Sequence, residues 1–305
     1  RKGANETDSE ETPFRKKEEV RLKRKRWLAM ALVFCLLGTT VPLTALAAGE
    51  DGEVQYIVSN DGTTLTIQGD GEITSQALNA NVTAEQKKTL TSVEIGAGVT
   101  GIADGYSSVF PAGVTNVTLK GSGAFRFGKY SFKGQKNLTV QSERTSLAIG
   151  SYAFHNAVLT EFPMDQLHTI GGYGFSNAVL PLEGETLTLR IEDQVDVEAQ
   201  YPAISVGSCA FSGVKNKEGT AFSKASVTIG GTVQFGDYSF NASDVFGSSA
   251  ALEELTFHLK EGAYLIFGGG ALGIPALRSA VFTGTGQIDF QHPSYRYVQA
   301  APFRN

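Results

Sequence analysis

Cysteine is almost missing from this 305-residue chain, and its two copies, Cys35 and Cys209, have no spacing that builds a disulfide framework or a zinc site. Cys35 falls in a segment expected to be removed, so Cys209 reads as a small buried apolar residue in a fold held by packing alone. Proline is also sparse, at 9, which excludes collagen-like or proline-rich disorder even though glycine stands at 35. Positive charge is scarce outside the first residues. Arg1–Arg26 hold 10 Lys/Arg and 6 Asp/Glu, leaving 16 basic and 25 acidic groups, a net −9, from Trp27 onward. A body this acidic repels nucleic acid and anionic membranes, so no nucleic-acid partner is expected.

Catalytic and metal-binding signatures are missing as well. His155, His168, His258 and His292 have no HExxH or ligand spacing and read as solvated or incidental. Serine, histidine and aspartate occur without a G-x-S-x-G elbow, and no G-x-x-x-x-G-K-S/T follows the glycine runs at Ile229–Thr232 or Gly268–Gly270. Glu192, Asp193, Asp196 and Glu198 form an acidic stretch without a calcium-loop pattern and read as a solvated loop. No enzyme, cofactor or metal is expected.

The chain does contain an export signal. RLKRKR at Arg21–Arg26 precedes the apolar run Trp27–Leu37, and Ala45-Leu46-Ala47 follows. A positive flank, a short apolar core and small residues two apart make a secretory signal peptide, with cleavage expected after Ala47. The run is too short for a membrane span, which takes about 20 residues, so membrane contact is expected only during export.

A six-residue phrase recurs: FGKYSF (Phe127–Phe132), IGSYAF (Ile149–Phe154), IGGYGF (Ile170–Phe175), VGSCAF (Val206–Phe211), FGDYSF (Phe235–Phe240) and FGGGAL (Phe267–Leu272). A degenerate copy spans Ile102–Phe110. Successive phrase glycines lie 22, 21, 36, 29 and 32 residues apart, so the basic coil is 21–22 residues and the longer intervals contain insertions on one rim, notably Ile191–Tyr201 and Lys215–Thr220. The glycine is expected to take positive φ at a corner, and the small residue to let the next coil approach. The last residue should plug the interior, placing Phe132, Phe154, Phe175, Phe211, Phe240 and Leu272 in one column.

Between phrases lie alternating segments: Ser92–Ile95, Asn116–Leu119, Asn137–Val140, Thr186–Leu189, Ser226–Ile229, Glu254–Phe257 and Ser279–Phe282. Their outward residues are Glu94, Thr118, Thr139, Thr188, Thr228, Thr256 and Val281, a threonine file that offers a docking face and is equally what any exposed strand favours. Tyr130, Tyr152, Tyr173 and Tyr238 follow the corners, either sealing the edge between coils or serving an interface. A helical or 3-10 turn is expected over each plug, with one short helix near Thr83–Lys88. Glu53–Ile73 reads as a hairpin around Asn60-Asp61-Gly62, capping the first coil.

These phrases, the apolar–Thr–apolar strands and the leader DGTTLTIQGDGEI resemble the BspA-type leucine-rich repeat of bacterial surface proteins, over roughly Glu53–Phe290. Cys209 and Gly270 stand where the family pattern has tyrosine, and Leu272 where it has phenylalanine. The resemblance implies an exported surface or secreted protein, with some relatives linked to adhesion to host matrix proteins or other cells. Its motif residues are structural, so no catalytic position carries over.

The expected fold is a β-rich leucine-rich-repeat solenoid, with short strands on two faces, few helical or 3-10 turns and an N-terminal β-hairpin cap. Its parts would be a charged start (1–26), a signal segment (27–47), a cap (48–92), the solenoid (93–290) and an uncapped C-terminal end (291–305). The expected function is non-catalytic binding or adhesion to an extracellular protein or glycan. The alternative is a spacer presenting a further domain. Ice binding by the threonines is disfavoured by the irregular coil lengths.

Overall fold

A computed structural model of the chain describes residues 53–192, 204–236, 245–247, 251–268 and 271–290. The signal segment, Phe240, Tyr238, Gly270, His292, most of the acidic insertion and residues 291–305 lie outside the described residues.

The described part opens with β1 (Gln55–Val58), which runs antiparallel to β2 (Thr64–Gln68), with Gln55 opposite Gln68 and Val58 opposite Leu65. The turn closes on Asp61, whose carboxylate accepts from Ser59 Oγ at 2.6 Å and Thr63 N at 3.1 Å. These hydrogen bonds to the charged form, the Ser59 hydroxyl first, hold its pKa below the usual carboxylate range.

Two helices follow where one was expected. The helix α1 (Ser75–Asn81) starts at Thr74, whose hydroxyl accepts from Ala77 N, and α2 (Ala84–Thr89) starts in a reciprocal Thr83–Gln86 capping box. Leu78, Val82 and Leu90 from this region are buried in the same core as β2 and β4 (Ser92–Ile95).

Beyond the hairpin the chain winds, alternating between two series of strands. One series comprises β2, β4, β6 (Asn116–Leu119), β8 (Leu138–Ser142), β10 (Leu159–Glu161), β12 (Thr186–Glu192), β14 (Lys224–Gly230), β16 (Glu254–Leu259) and β18 (Ser279–Gly284). The other comprises β3 (Gly71–Ile73), β5 (Val99–Ile102), β7 (Ala124–Phe127), β9 (Ser146–Ile149), β11 (Leu167–Ile170), β13 (Ile204–Val206), β15 (Thr232–Phe235), β17 (Tyr264–Phe267) and β19 (Gln287–Asp289).

Each strand of the second series pairs parallel with the next, giving one nine-stranded sheet ordered from β3 to β19. The first series forms a six-stranded sheet from β1 to β10 and a four-stranded sheet from β12 to β18. The fold is therefore β-rich, built of parallel sheets of many short strands with few helices, consistent with a solenoid-like repeat. Alternation decides which side chains fill it: Val117 and Leu119, Leu187 and Leu189, and Leu255 and Phe257 point inward and are buried.

The corners are built differently from the expectation. Gly236 takes the expected positive φ, at 81°, but Gly128, Gly150, Gly171 and Gly207 are not in the left-handed region; Tyr130, Tyr152, Tyr173 and Cys209 are, at φ 63°, 58°, 60° and 54°. In those four windings the phrase glycine is required instead by close approach. A Cβ on Gly150 would lie 2.7 Å from Phe127 O, and one on Gly171 or Gly207 2.6 Å from a backbone nitrogen of the preceding winding. A second left-handed residue lies four positions after the first, at Gly134, Asn156, Asn177 or Gly213. Those left-handed pairs break any right-handed helix over the plug. The chain instead makes successive i to i+3 turns, such as Ala153 N to Gly150 O, His155 N to Tyr152 O and Ala157 N to Phe154 O.

Alternate amides of this arc donate to the next winding: Tyr152 N to Gly172 O, Phe154 N to Gly174 O and Asn156 N to Ser176 O. This fixes the plugs one above another. The rings of Phe132, Phe154, Phe175 and Phe211 are fully buried and stack with centroids 5.4–5.6 Å apart, within 9° of parallel. Phe110, from the degenerate copy, and Phe246 extend the column at 5.4 Å and 6.3 Å. Leu272 is buried in the same core.

The first series is interrupted at β10, where the register shifts between Leu159 and Glu161. The chain then turns through Phe162-Pro163 into a 3-10 turn (Met164–Gln166) that packs against β12. Buried polar side chains pin the less regular arcs. Arg144 is 3% exposed and donates to three carbonyls, Ala97 O at 3.1 Å, Gly96 O at 2.7 Å and Val99 O at 2.9 Å, two windings away. Its guanidinium also lies over the Phe125 ring. Asn216 holds the Lys215–Thr220 insertion by donating to Gly184 O at 2.7 Å and accepting from Thr220 N at 2.8 Å.

Candidate binding surface

The outward residues of the first series form rows set by strand register. On the six-stranded sheet, Thr64, Ser92, Asn116 and Thr139 make one row, and Thr66, Glu94, Thr118 and Gln141 the next. On the four-stranded sheet the rows are Thr186, Lys224, Glu254, Ser279; then Thr188, Ser226, Thr256, Val281; then Arg190, Thr228, His258, Thr283.

The five threonines singled out from the sequence all face outward from these strands, half-buried or exposed, but they do not make one file. Thr118 and Thr139 share the six-stranded sheet in different rows. Thr188 and Thr256 share a row of the four-stranded sheet, and Thr228 sits one row away. The reason is that strands begin at different points of their alternation. A slip of two residues keeps every side chain on its face while moving it one row along the strand.

Hydroxyls link neighbouring windings across these rows. Thr139 Oγ1 and Thr160 Oγ1 are 2.8 Å apart, and the His258 ring lies 2.8 Å from Thr283 Oγ1 through Nδ1 and 3.2 Å from Ser226 Oγ through Nε2. Charge lies within these rows as well as beyond them. Lys224 pairs with Glu185 at 3.1 Å and Lys120 with Glu143 at 3.2 Å, while Arg126, on β7 of the nine-stranded sheet, pairs with Asp104. The backbone N–H of Lys129 and the Arg126 guanidinium draw the Asp104 pKa below the usual carboxylate range, against a smaller opposing push from burial.

The more enclosed group is Glu192, its side chain 14% exposed, held by Arg190 Nε at 2.9 Å and Lys260 Nζ at 2.6 Å. Burial raises the Glu192 pKa, but the two cations together leave it lowered. Glu192 reaches Lys260 by crossing Gly230, its register partner, where a Cβ would come within 3.1 Å of Glu192 Cγ.

The tyrosine edge is a separate feature. Tyr130 and Tyr152 stack at 5.2 Å, Tyr152 and Tyr173 at 4.8 Å and within 4° of parallel. Lys129 and Lys133 lie 5.1 and 5.0 Å from the Tyr130 centroid, and His155 meets Tyr152 edge-on. Cys209, expected to be buried, takes the tyrosine slot of the next winding and is half-buried there; its hydrogen bond raises the Tyr173 pKa. The rings cover one another's faces, so this edge presents ring rims and hydroxyls rather than a flat platform.

No known protein family, curated protein or solved structure matches this chain.

Among the described residues, no three His, Cys, Asp or Glu side chains converge as a metal site, and no helix is long and apolar enough to cross a membrane. A cavity of about 40 Å³ lies among Leu187, Phe211, Val214, Phe222, Phe246 and Leu252, room for little more than one water molecule. Tyr106, at the tip of the loop after β5, is fully exposed; nothing in the repeat pattern marks it.

Proposed function

We propose that this is a non-catalytic binding or adhesion module, a leucine-rich-repeat solenoid of the BspA type, exported to the cell surface or secreted. Its partner is an extracellular protein or glycan that lies across the windings on the outward face of the first strand series. The observation that supports this reading most directly is a run of uncharged polar side chains on adjacent strands of each sheet. Ser92, Asn116 and Thr139 on one sheet, and Thr188, Ser226 and Thr256 on the other, offer hydroxyl and amide groups on adjacent paired strands. Strands about 4.8 Å apart hold such groups at little entropic cost to the protein. The nine-stranded sheet continues without interruption behind them, so the face is backed by a packed core.

The test is a pull-down and titration of the Ala48–Asn305 fragment against host matrix proteins and cell-wall glycans. Saturable binding is expected. It should be lost in a Thr188→Lys/Thr256→Lys variant or in a Thr139→Lys variant, depending on which sheet is engaged. Binding to none of these ligands, or binding unchanged in both variants, overturns the reading and leaves the spacer alternative.

A further inference from the structure

We propose that Tyr152 and Tyr173 form a site of oxidative modification, at which a one-electron oxidant of the peroxidase class, with hydrogen peroxide, joins their rings into dityrosine and so staples two successive windings. This inference is independent of what the sheet faces bind.

The tyrosine slot is an expensive place for this residue. Tyr130, Tyr152 and Tyr173 all sit in the left-handed region, at φ 63°, 58° and 60°, where a residue with a Cβ is strained by about 1–2 kcal/mol. The companion slot four residues on is filled by Gly134, Asn156, Asn177 and Gly213, the residue types that tolerate this backbone. Geometry also brings the two rings within reach of each other, so that a turn out of the stack lets their edges meet. The Tyr152 and Tyr173 centroids are 4.8 Å apart and the rings are within 4° of parallel. Their backbones are locked in register, Tyr152 N donating to Gly172 O and Tyr173 N to Ser208 O. Tyr173 is 37% exposed, so an oxidant can reach it, and Tyr152 is half-buried directly beside it.

The neighbouring pair is worse placed: Tyr130 and Tyr152 are 5.2 Å apart and tilted by 27°, and Lys129 and Lys133 lie over the Tyr130 ring, where their charge opposes removal of an electron.

The step balances as follows. Each phenol gives up one electron and one proton to the peroxide system. The two ring radicals join through a new bond between carbons ortho to their hydroxyls, and both rings regain aromaticity. The O–O bond of one hydrogen peroxide breaks, and two waters form. The product has two hydrogens fewer than the unmodified chain and links residues 21 positions apart in sequence.

The experiment treats the dilute, purified protein carrying Tyr106→Phe, which removes a fully exposed ring able to couple between molecules. The oxidant is a haem peroxidase with hydrogen peroxide, and free tyrosine in a parallel tube confirms that the oxidant couples phenols. Cleavage after Glu161 separates the two tyrosines. The monomer fraction should yield a joined Tyr152–Tyr173 peptide pair and the blue fluorescence of dityrosine. Tyr173→Phe, which keeps the ring and the fold, should abolish the joined pair and most of the monomer's fluorescence. Melting temperature should rise after treatment only when Tyr173 is present. The proposal is overturned by a monomer with no joined pair, by a dominant Tyr130–Tyr152 pair, or by unchanged fluorescence in Tyr173→Phe.

Discussion

Replacing Phe175 with alanine tests the packing on which the windings depend. The ring is fully buried, with Phe154 stacked at 5.4 Å on one side, Phe211 at 5.6 Å on the other, and Phe162 edge-on at 5.5 Å. Its backbone N–H donates to Ala210 O, so the neighbouring arcs are tied in place and cannot collapse into the gap. Loss of transfer energy plus an unfilled cavity should therefore cost about 3–5 kcal/mol. For a unit of this size that lowers the melting temperature by roughly 6–20 °C.

Tyr173→Ala, two residues away, is the internal comparison. It removes one stacked partner from a ring 37% exposed, worth about 0.5–1.5 kcal/mol plus modest burial, and leaves the backbone in the same left-handed conformation. Differential scanning calorimetry on both variants, with Phe175→Leu expected to recover part of the loss, separates interior from edge. Equal shifts for Phe175→Ala and Tyr173→Ala would refute the column as the source of stability.

Three further outcomes follow from other sites. Gly171→Ala should destabilise by more than a typical exposed glycine change, because its Cβ would lie 2.6 Å from Ser151 N, and thermal unfolding beside Gly184→Ala, which meets no neighbour but is strained at φ 71°, separates crowding from backbone strain. Arg144→Met leaves the carbonyls of Gly96, Ala97 and Val99 without their charged donor and should cost about 2–5 kcal/mol in denaturant titration; Arg144→Lys should recover less than half, since one ammonium cannot fork to all three. Glu192→Gln should destabilise at neutral pH. The lowered pKa means that the carboxylate's contribution is complete above the ordinary glutamate range and is lost as the pH falls through the lowered value, so the wild-type advantage should shrink with acidification; a gap independent of pH would exclude the Arg190 and Lys260 pairing as its origin.

Much of the architecture is legible in the sequence because two periodicities coincide. Alternation picks out inward residues such as Val117 and Leu189, and the recurrence of Gly-x-Tyr-x-Phe, with Cys209 for tyrosine in one copy, picks out Phe132, Phe154, Phe175 and Phe211. Both signals survive a slip of two residues, which is why the outward face is readable and the rows on it are not. Thr139 pairs with Asn116 rather than Thr118, and no four-residue phrase reveals that.

How Gly150 and Tyr152 divide the corner is not legible in the phrase, for a related reason. Composition says that a corner exists, but whether glycine serves positive φ or close approach depends on the backbone of the preceding winding. The break after β10 has only faint marks: Leu159–Glu161 does not alternate, its last two residues both being exposed, and Pro163 opens the turn beyond it.

Arc and strand differ sharply in how much extra chain they can absorb. Every second amide of the glycine–tyrosine–phenylalanine arc is committed to the next winding, so extra chain there has to leave as a loop, as in Ile102–Phe110, where Tyr106 bulges outward, Val109 N rejoins Ser131 O and Phe110 keeps its place in the column. The stretch between arc and strand is also bonded to its neighbours, Lys215 N to Ala178 O and Lys217 N to Leu182 O, and at Lys215–Thr220 Asn216 folds the surplus onto itself. Surplus chain is thereby taken up at a margin outside the bonded positions. A grafted loop should be accepted at that margin, between Asn216 and Thr220, while the same graft beside Phe154 should not.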